Sequence, residues 1–268
     1  MGDRDQPDLP MAPTPPSSAK CLPSRRFDPP LQGQRQSSFF VNLGRYRVDV
    51  SVGAQDRIER ILDDLVAQGW CALEGLFPPE AVAAMAGEVR SLWQRDAFHR
   101  AGVGQGEGLT VVDEIRRDHV LWIDETDPTS KQRPYLEFLE GLRLALNLEL
   151  FLGLWDYEGH YALYPPGGFY KRHNDRFAGT AERVLTCILY LNPDWQPGDG
   201  GELRVFLPAE VGEQTLDLPP HGGTFFCFLT ERFEHEVLPT AKERIALTGW
   251  FRRRDPNQID AVPLEGVG

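Results

Sequence analysis

Val184–Leu191 reads Val-Leu-Thr-Cys-Ile-Leu-Tyr-Leu, a run with no polar face, as expected of a strand buried on both sides. Shorter runs of the same kind flank it. Ala162-Leu163-Tyr164 ends one strand, Glu202–Phe206 begins another, and Gly223–Leu229 and Arg244–Phe251 supply two more. Turn formers separate them: Pro165-Pro166-Gly167-Gly168, Asn192-Pro193 and the Gly198–Gly201 stretch. Strand, turn, strand at this spacing predicts a two-sheet or barrel architecture. The preceding third of the chain has the helical period instead. Ile58, Ile61, Leu62, Leu65 and Val66 make one apolar stripe, which Gly69 stops. After a short strand at Trp70–Leu73, Pro78 and Pro79 open a second helix carrying Val82, Met85, Ala86, Val89, Leu92 and Trp93. A third, from Pro134 to about Asn147, carries Tyr135, Phe138, Leu139, Leu142 and Leu146. These stripes are core packing. The fold class expected is mainly β with flanking helices.

Composition changes this picture at the ends. Eight of the 22 prolines fall before residue 31, among Ser, Gln and charged residues with few large apolar side chains. Residues 1–36 are expected to be a disordered Pro-rich tail. The folded domain is expected over 37–256, beginning near Phe39, with a C-terminal tail at 257–268. No apolar run has signal-peptide or membrane-spanning length. Cys21, Cys71, Cys187 and Cys227 are widely spaced and contain no Cys-x-x-Cys, which disfavours a zinc site or disulfide framework. Cys187 and Cys227 sit in apolar strands as buried thiols, as suits a reducing cytoplasm. A net charge of −12 favours solubility and argues against general nucleic-acid binding. Nothing in the sequence demands a dimer, so a monomer is expected.

The chemistry concentrates in four residues. On a strand, residues i and i+2 face the same way, so His173-Asn174-Asp175 can present an imidazole and a carboxylate to one point. His235 must come from a separate strand. Two His and one carboxylate bind one face of non-haem Fe(II) and leave the opposite positions open. Arg244, nine residues after His235, offers a planar fork suited to a carboxylate. The competing reading is a surface arginine paired with Glu243 or Glu236. Arg244, Ala246, Thr248 and Trp250 share one strand face, as do Thr186, Ile188 and Tyr190. His99, His119, His160 and His221 lack partners at ligand spacing and read as structural or exposed.

Ordered motifs around these residues carry a resemblance. They are Tyr164-Pro165, Tyr170 and Arg172-His173-x-Asp175 (one residue fewer before the His than usual), Thr186-Cys187-Ile188-x-Tyr190-Leu191-Asn192-x-Asp194-Trp195, and Gly200-Gly201-x-Leu203-Arg204-x-Phe206. His235-Glu236-Val237 then leads to Arg244, and upstream Ile115-Arg116-x-Asp118 is followed by Trp122-Ile123. Over most of residues 100–254 the chain resembles the Fe(II)/2-oxoglutarate-dependent prolyl 4-hydroxylases, in particular those acting on hypoxia-inducible factor and their bacterial relatives. The resemblance implies a double-stranded β-helix (jelly roll, cupin-like) core supported by the N-terminal helices. It implies Fe(II) on His173, Asp175 and His235, with 2-oxoglutarate and O2 as cosubstrates and ascorbate as a candidate reductant. Arg244 and Tyr190 would hold the distal carboxylate of 2-oxoglutarate, Tyr164 would sit beside its chelating end, and Thr248 and Trp250 would line the same pocket. Asp at position 175, where related halogenating enzymes carry Ala or Gly, argues for hydroxylation.

Ala101–Gly108 carries four glycines at alternate positions and is followed by Leu109-Thr110-Val111-Val112, which looks like a strand. It reads as a mobile hairpin tip and matches in position the finger loop that closes over peptide in prolyl hydroxylases. By resemblance, Arg116, Asp118 and Trp122 would orient that loop, and Arg183 would stand at the substrate entrance. Asp118 and Arg183 are thereby substrate-binding candidates, against the plainer reading of a surface salt-bridge set. The function expected is hydroxylation of a proline in a protein substrate, giving succinate and CO2. Bacterial relatives suggest elongation factor Tu, and the hypoxia-related ones suggest oxygen sensing. Two alternatives stay open: an oxygenase acting on another side chain or a free amino acid, and a non-catalytic metal- or oxygen-sensing binding module.

Overall fold

The computed structural model describes residues 39–43, 46–50, 52–104, 110–176, 183–209 and 212–254. Strands β1 (Phe39–Leu43) and β2 (Tyr46–Val50) form an antiparallel hairpin. Helix α1 (Val52–Ala67) ends just before Gly69, whose φ of 88° lies in the left-handed region that glycine enters freely. Strand β3 (Trp70–Leu73) and helix α2 (Pro79–Trp93) follow, and Pro79 occupies the first turn of α2, where a missing N–H costs nothing. Next come β4 (His99–Arg100), β5 (His119–Trp122) and α3 (Arg133–Leu150). From there the described elements are all strands: β6 (Leu154–Tyr164), β7 (Tyr170–His173), β8 (Arg183–Tyr190), β9 (Leu203–Pro208), β10 (Glu213–Leu218), β11 (Phe225–Leu229), β12 (His235–Val237) and β13 (Arg244–Arg253).

Two antiparallel sheets build the core among the described residues. One has seven strands in the order β3-β11-β8-β13-β6-β5-β4, and the other has four in the order β10-β9-β12-β7. The period-2 alternation of the large sheet decides what lies on each side. From β13, Ile245, Leu247 and Phe251 pack with Ile61, Met85, Leu139 and Leu142 of the helices. Ala246, one residue out of phase, joins Ile188, Tyr190, Phe226 and Phe228, with Leu203 and Val205 of the small sheet, in a second cluster. Full burial of each large aliphatic side chain stabilises by roughly 1.5–3 kcal/mol. The large sheet is therefore a wall between a helical layer and an inner chamber, and the whole is a double-stranded β-helix. One register pair shows how tightly the wall is built: Gly159 and Gly249 face each other across β6 and β13. A Cβ on Gly249 would come within 2.2 Å of the Tyr157 hydroxyl, so the missing side chains leave room for that ring.

Several sequence expectations need correction. Leu109–Val112 does not form a strand in its described part: Thr110 makes an isolated bridge to Val103, and Val111 is exposed. A β-branched run needs a partner ladder, and β5, beginning at His119, holds the place beside β6 instead. The third helix runs on to Leu150, past Asn147, whose amide exchanges hydrogen bonds of 2.8 and 2.7 Å with the Leu154 backbone. Strand β10 carried no recognisable pattern because its residues are mostly exposed. It is held as an edge by pairing to β9 and by the two-pronged Arg204–Asp217 contact. The expected tails at 1–36 and 257–268, Cys21 and loop residues 105–109 lie outside the described residues. No helix among those described is long and apolar enough to cross a membrane.

Candidate functional site

His173 and His235 face each other directly across β7 and β12. Strand β7 stops at His173, so Asp175 lies just past its end rather than on it. Tertiary contacts supply the orientation that strand geometry was expected to give. The Thr186 hydroxyl donates to Asp175 Oδ2 at 3.0 Å, and the Asn174 amide turns away to bond the Thr230 and Phe233 carbonyls. Each imidazole Nε2 then sits 3.5 Å from an Asp175 oxygen, and one ligand atom from each of the three residues lies within 4.8 Å of the others. His173 Nδ1 is 2.7 Å from the Lys171 carbonyl, which fixes it as the N–H and leaves Nε2 as the lone-pair donor. Burial alone would raise the Asp175 pKa, but His235 and His173 hold it well below the ordinary carboxylate range. Burial lowers His235 to about 4, so both groups are in the deprotonated form that a cation needs. Two neutral imidazoles and one carboxylate fit a divalent first-row metal of the non-haem iron type.

A cavity of ≈ 310 Å³ opens between the sheets beside these ligands. At its inner end Arg244 is 2% exposed. Its Nε donates to the Gly201 carbonyl at 2.8 Å, and its guanidinium lies 4.9 Å from the Tyr164 ring and 5.2 Å from the Tyr190 ring. Gly201 has a φ of 68°, and a Cβ there would press on the Arg244 side chain at 3.1 Å. The competing pairing for Arg244 is ruled out: Glu243 binds Arg90, and Glu236 lies against Arg204. Among the described residues no carboxylate neutralises Arg244. Burial pushes the Tyr190 hydroxyl up to about 12, and it faces the guanidinium without a hydrogen bond of good geometry. Thr248 and Trp250 line the same cavity, as their shared face with Arg244 predicted.

The residues expected to touch substrate divide into two groups. Arg183 and Trp122 stand at the rim. Arg183 stacks on Trp250 at 3.5 Å and pairs with Glu158 at 2.7 Å, while Trp122 is 47% exposed. Asp118, in contrast, is buried, and both its oxygens are taken by Arg116 at 2.7 and 2.6 Å. Arg116 also reaches the Gly102 carbonyl at 3.2 Å and lies over the Tyr170 ring at 4.1 Å. Tyr170 in turn stacks on His173 at 3.5 Å. Asp118 is thus joined to the base of the glycine-rich loop and to a candidate metal ligand through Arg116, not through solvent.

Sequence reasoning missed Tyr170 and His160 as pocket residues. His160, expected to be structural or exposed, is 6% exposed and lines the cavity between the Trp122 and Trp250 rings, at 4.9 and 5.4 Å. Its position on the same face of β6 as Ala162 and Tyr164 was the available signal.

Comparison with known proteins agrees with this geometry. Residues 159–252 match the family model described as the 2OG-Fe(II) oxygenase superfamily. The chain is 42% identical to a prolyl-4-hydroxylase of Pseudomonas putida, with 74% of this chain and 100% of that one covered at a TM-score of 0.65. It is 25% identical to a prolyl hydroxylase of Trichoplax adhaerens solved with a peptide fragment of the hypoxia inducible factor oxygen degradation domain, covering 75% and 90% of the two chains at a TM-score of 0.66. It is also 30% identical over 202 residues to human Egl nine homolog 1, covering 72% of this chain and 46% of that protein. The chain spans 30% to 49% of the length of the first curated relatives it matches. With the triad, the buried arginine and the sheet order in agreement, the chain belongs to the prolyl hydroxylase family of 2OG-Fe(II) oxygenases.

Proposed function

We propose that this protein is a peptidyl-proline 4-hydroxylase that uses Fe(II), 2-oxoglutarate and O2. The observation that carries the reading is Arg244: a guanidinium this deeply buried, with no acid beside it among the described residues, is costly unless a ligand brings the negative charge. A dicarboxylate entering the cavity supplies it at the inner end and reaches the His173, Asp175 and His235 ligand atoms with its other end. The bound metal supplies oxidising chemistry in which substrate C–H, 2-oxoglutarate and O2 become C–OH, succinate and CO2.

In this reading His173, Asp175 and His235 hold the metal through Nε2, a carboxylate oxygen and Nε2. Thr186 and the Lys171 carbonyl keep those atoms aimed. Arg244 and Tyr190 fix the distal carboxylate, Tyr164 sits beside the chelating end, and Thr248 and Trp250 line the same pocket. Arg183 and Trp122 meet the substrate at the rim, while Arg116 and Asp118 position the loop beside it. A proline in a protein is the proposed target, elongation factor Tu being the bacterial candidate. The identity to the Pseudomonas putida enzyme supports the first part of that choice, and the family resemblance alone supports the second. Three buried free thiols and a net charge of −12 support a reducing cytoplasm and a partner other than nucleic acid.

Anaerobic addition of Fe(II) and then 2-oxoglutarate tests the site without knowledge of the substrate. A weak visible charge-transfer band is expected, lost in His235→Ala and in Arg244→Ala. Its absence in folded, iron-loaded protein would sink the oxygenase reading in favour of a binding module. Mass spectrometry of elongation factor Tu after aerobic turnover then tests the target, with an oxygen added at proline as the expected product. An oxygen added at another side chain would replace the prolyl reading.

A further inference from the structure

His160 is a buried polar side chain on the cavity wall whose Nδ1 has no hydrogen-bond partner among the described residues. Leaving such a group unsatisfied costs on the order of 1–3 kcal/mol. The site is built around it. The rings of Trp122 and Trp250 flank the imidazole at 4.9 and 5.4 Å and restrict where it can turn. Register then fixes its depth. His160 sits opposite Thr248 of β13 on one side and Trp122 of β5 on the other, and Thr248 in turn sits opposite Ile188 of β8. This cross-strand row is four residues further along β13 than Arg244, which is about 14 Å at ~3.4 Å per residue. An arginine side chain and a five-carbon diacid, laid end to end along the strand, cover that distance. A ligand anchored by Arg244 therefore brings its opposite end to the level of His160.

We propose that His160 is a binding residue for the cosubstrate, its ring hydrogen-bonding the carboxylate at the metal-proximal end of 2-oxoglutarate. The role rests on the oxygenase reading and adds to it a second fixed point, on the opposite end of the diacid from Arg244. His160 is not itself placed as a metal ligand, since the convergent atoms belong to His173, Asp175 and His235.

The test uses the full chain loaded with redox-inert Mn(II), with titration of 2-oxoglutarate by calorimetry. His160→Met keeps bulk and removes the ring nitrogens; His160→Gln restores a hydrogen-bonding group. His160→Met is expected to weaken 2-oxoglutarate binding about tenfold or more, the scale of one hydrogen bond to a charged group. His160→Gln is expected to recover to within about threefold of the unsubstituted protein, with Mn(II) affinity unchanged in both. Should His160→Met not fold, His160→Phe carries the same comparison. Unchanged 2-oxoglutarate affinity in the variant without a ring nitrogen, or equal losses in the Met and Gln variants, would overturn the role. Absence of 2-oxoglutarate binding to the unsubstituted Mn(II)-loaded protein is a different failure, which removes the oxygenase reading and this proposal together.

Discussion

The inner end of the chamber and its rim use the same residue types in opposite ways. Inside, Arg244 is buried and has no acidic partner among the described residues. At the rim, Arg183 and Arg252 share Glu158, and Arg252 also grips Asp156 with two hydrogen bonds of 2.9 and 2.7 Å. A charge left for a ligand is expensive to keep and strong when used. A charge already paired in partial solvent is cheap and weak. Affinity for the small diacid should therefore rest on few inner residues, and contact with a large substrate on many weaker ones.

Substitutions can break that contrast, beginning with the largest effect. Asp175→Ala should abolish tight metal binding, read as loss of the Mn(II) calorimetric signal with the fold intact by circular dichroism. Retained stoichiometric binding would show that the three converging groups are not the ligand set. Arg244→Ala should raise the 2-oxoglutarate dissociation constant by roughly 30- to 1000-fold, the consequence of removing about 2–4 kcal/mol of buried charge pairing. Asp118→Ala leaves Arg116 buried without its carboxylate and should cost about 3–5 kcal/mol of stability. That is a fall in melting temperature on the order of 10 °C, and a fall of a degree or two would place Asp118 with the weak rim charges.

The next effect concerns acidity. Burial, reinforced by the Arg116 and Arg183 guanidiniums and opposed by Asp118 and Asp175, lowers His160 from 6.5 to about 3. Between those values the unfolded chain binds a proton that the folded one refuses, so stability rises with pH and is lost on acidification through that window. In metal-free protein His160 should contribute up to one proton's worth of stability per pH unit there, about 1.4 kcal/mol, on top of the share of His235, which burial also lowers. Chemical denaturation at several pH values should show that slope reduced in His160→Phe; an unreduced slope would place the titration elsewhere. The smallest change belongs to the rim: Arg252→Ala should shift stability by no more than about 1 kcal/mol.

Much of this was legible in the sequence, for identifiable reasons. Strands β8 and β13 declared themselves because burial on both faces leaves a continuous apolar run, and α1 and α2 because one-sided burial leaves a stripe. The His-x-Asp spacing pointed to residues that the fold brings together, by an argument that holds only in part: His173 is on a strand, but the Thr186 hydroxyl, not the strand period, aims Asp175. Tyr170 escaped because its role depends on a lateral neighbour, and His160 because its spacing gives the face it shares with Ala162 and Tyr164 but not the rings beside it. The stacking of Tyr170 on His173 and the row through His160 and Thr248 arise from register and ring packing, which spacing along one chain does not encode. Strand β10 escaped because its face is wet.

The cross-strand register that builds the chamber also lines up Cys71, Cys227 and Cys187 side by side across β3, β11 and β8, all fully buried. Burial pushes all three thiols up, Cys71 to about 12, so almost none is thiolate at neutral pH. All three pack in the cluster under the helices, so an alkylating reagent can reach them only when that helical layer lifts. The fold thus carries its own clock: the rate at which these three sulfurs are modified reports how often the helices come away from the back of the wall, and a diacid bound at Arg244 should slow it.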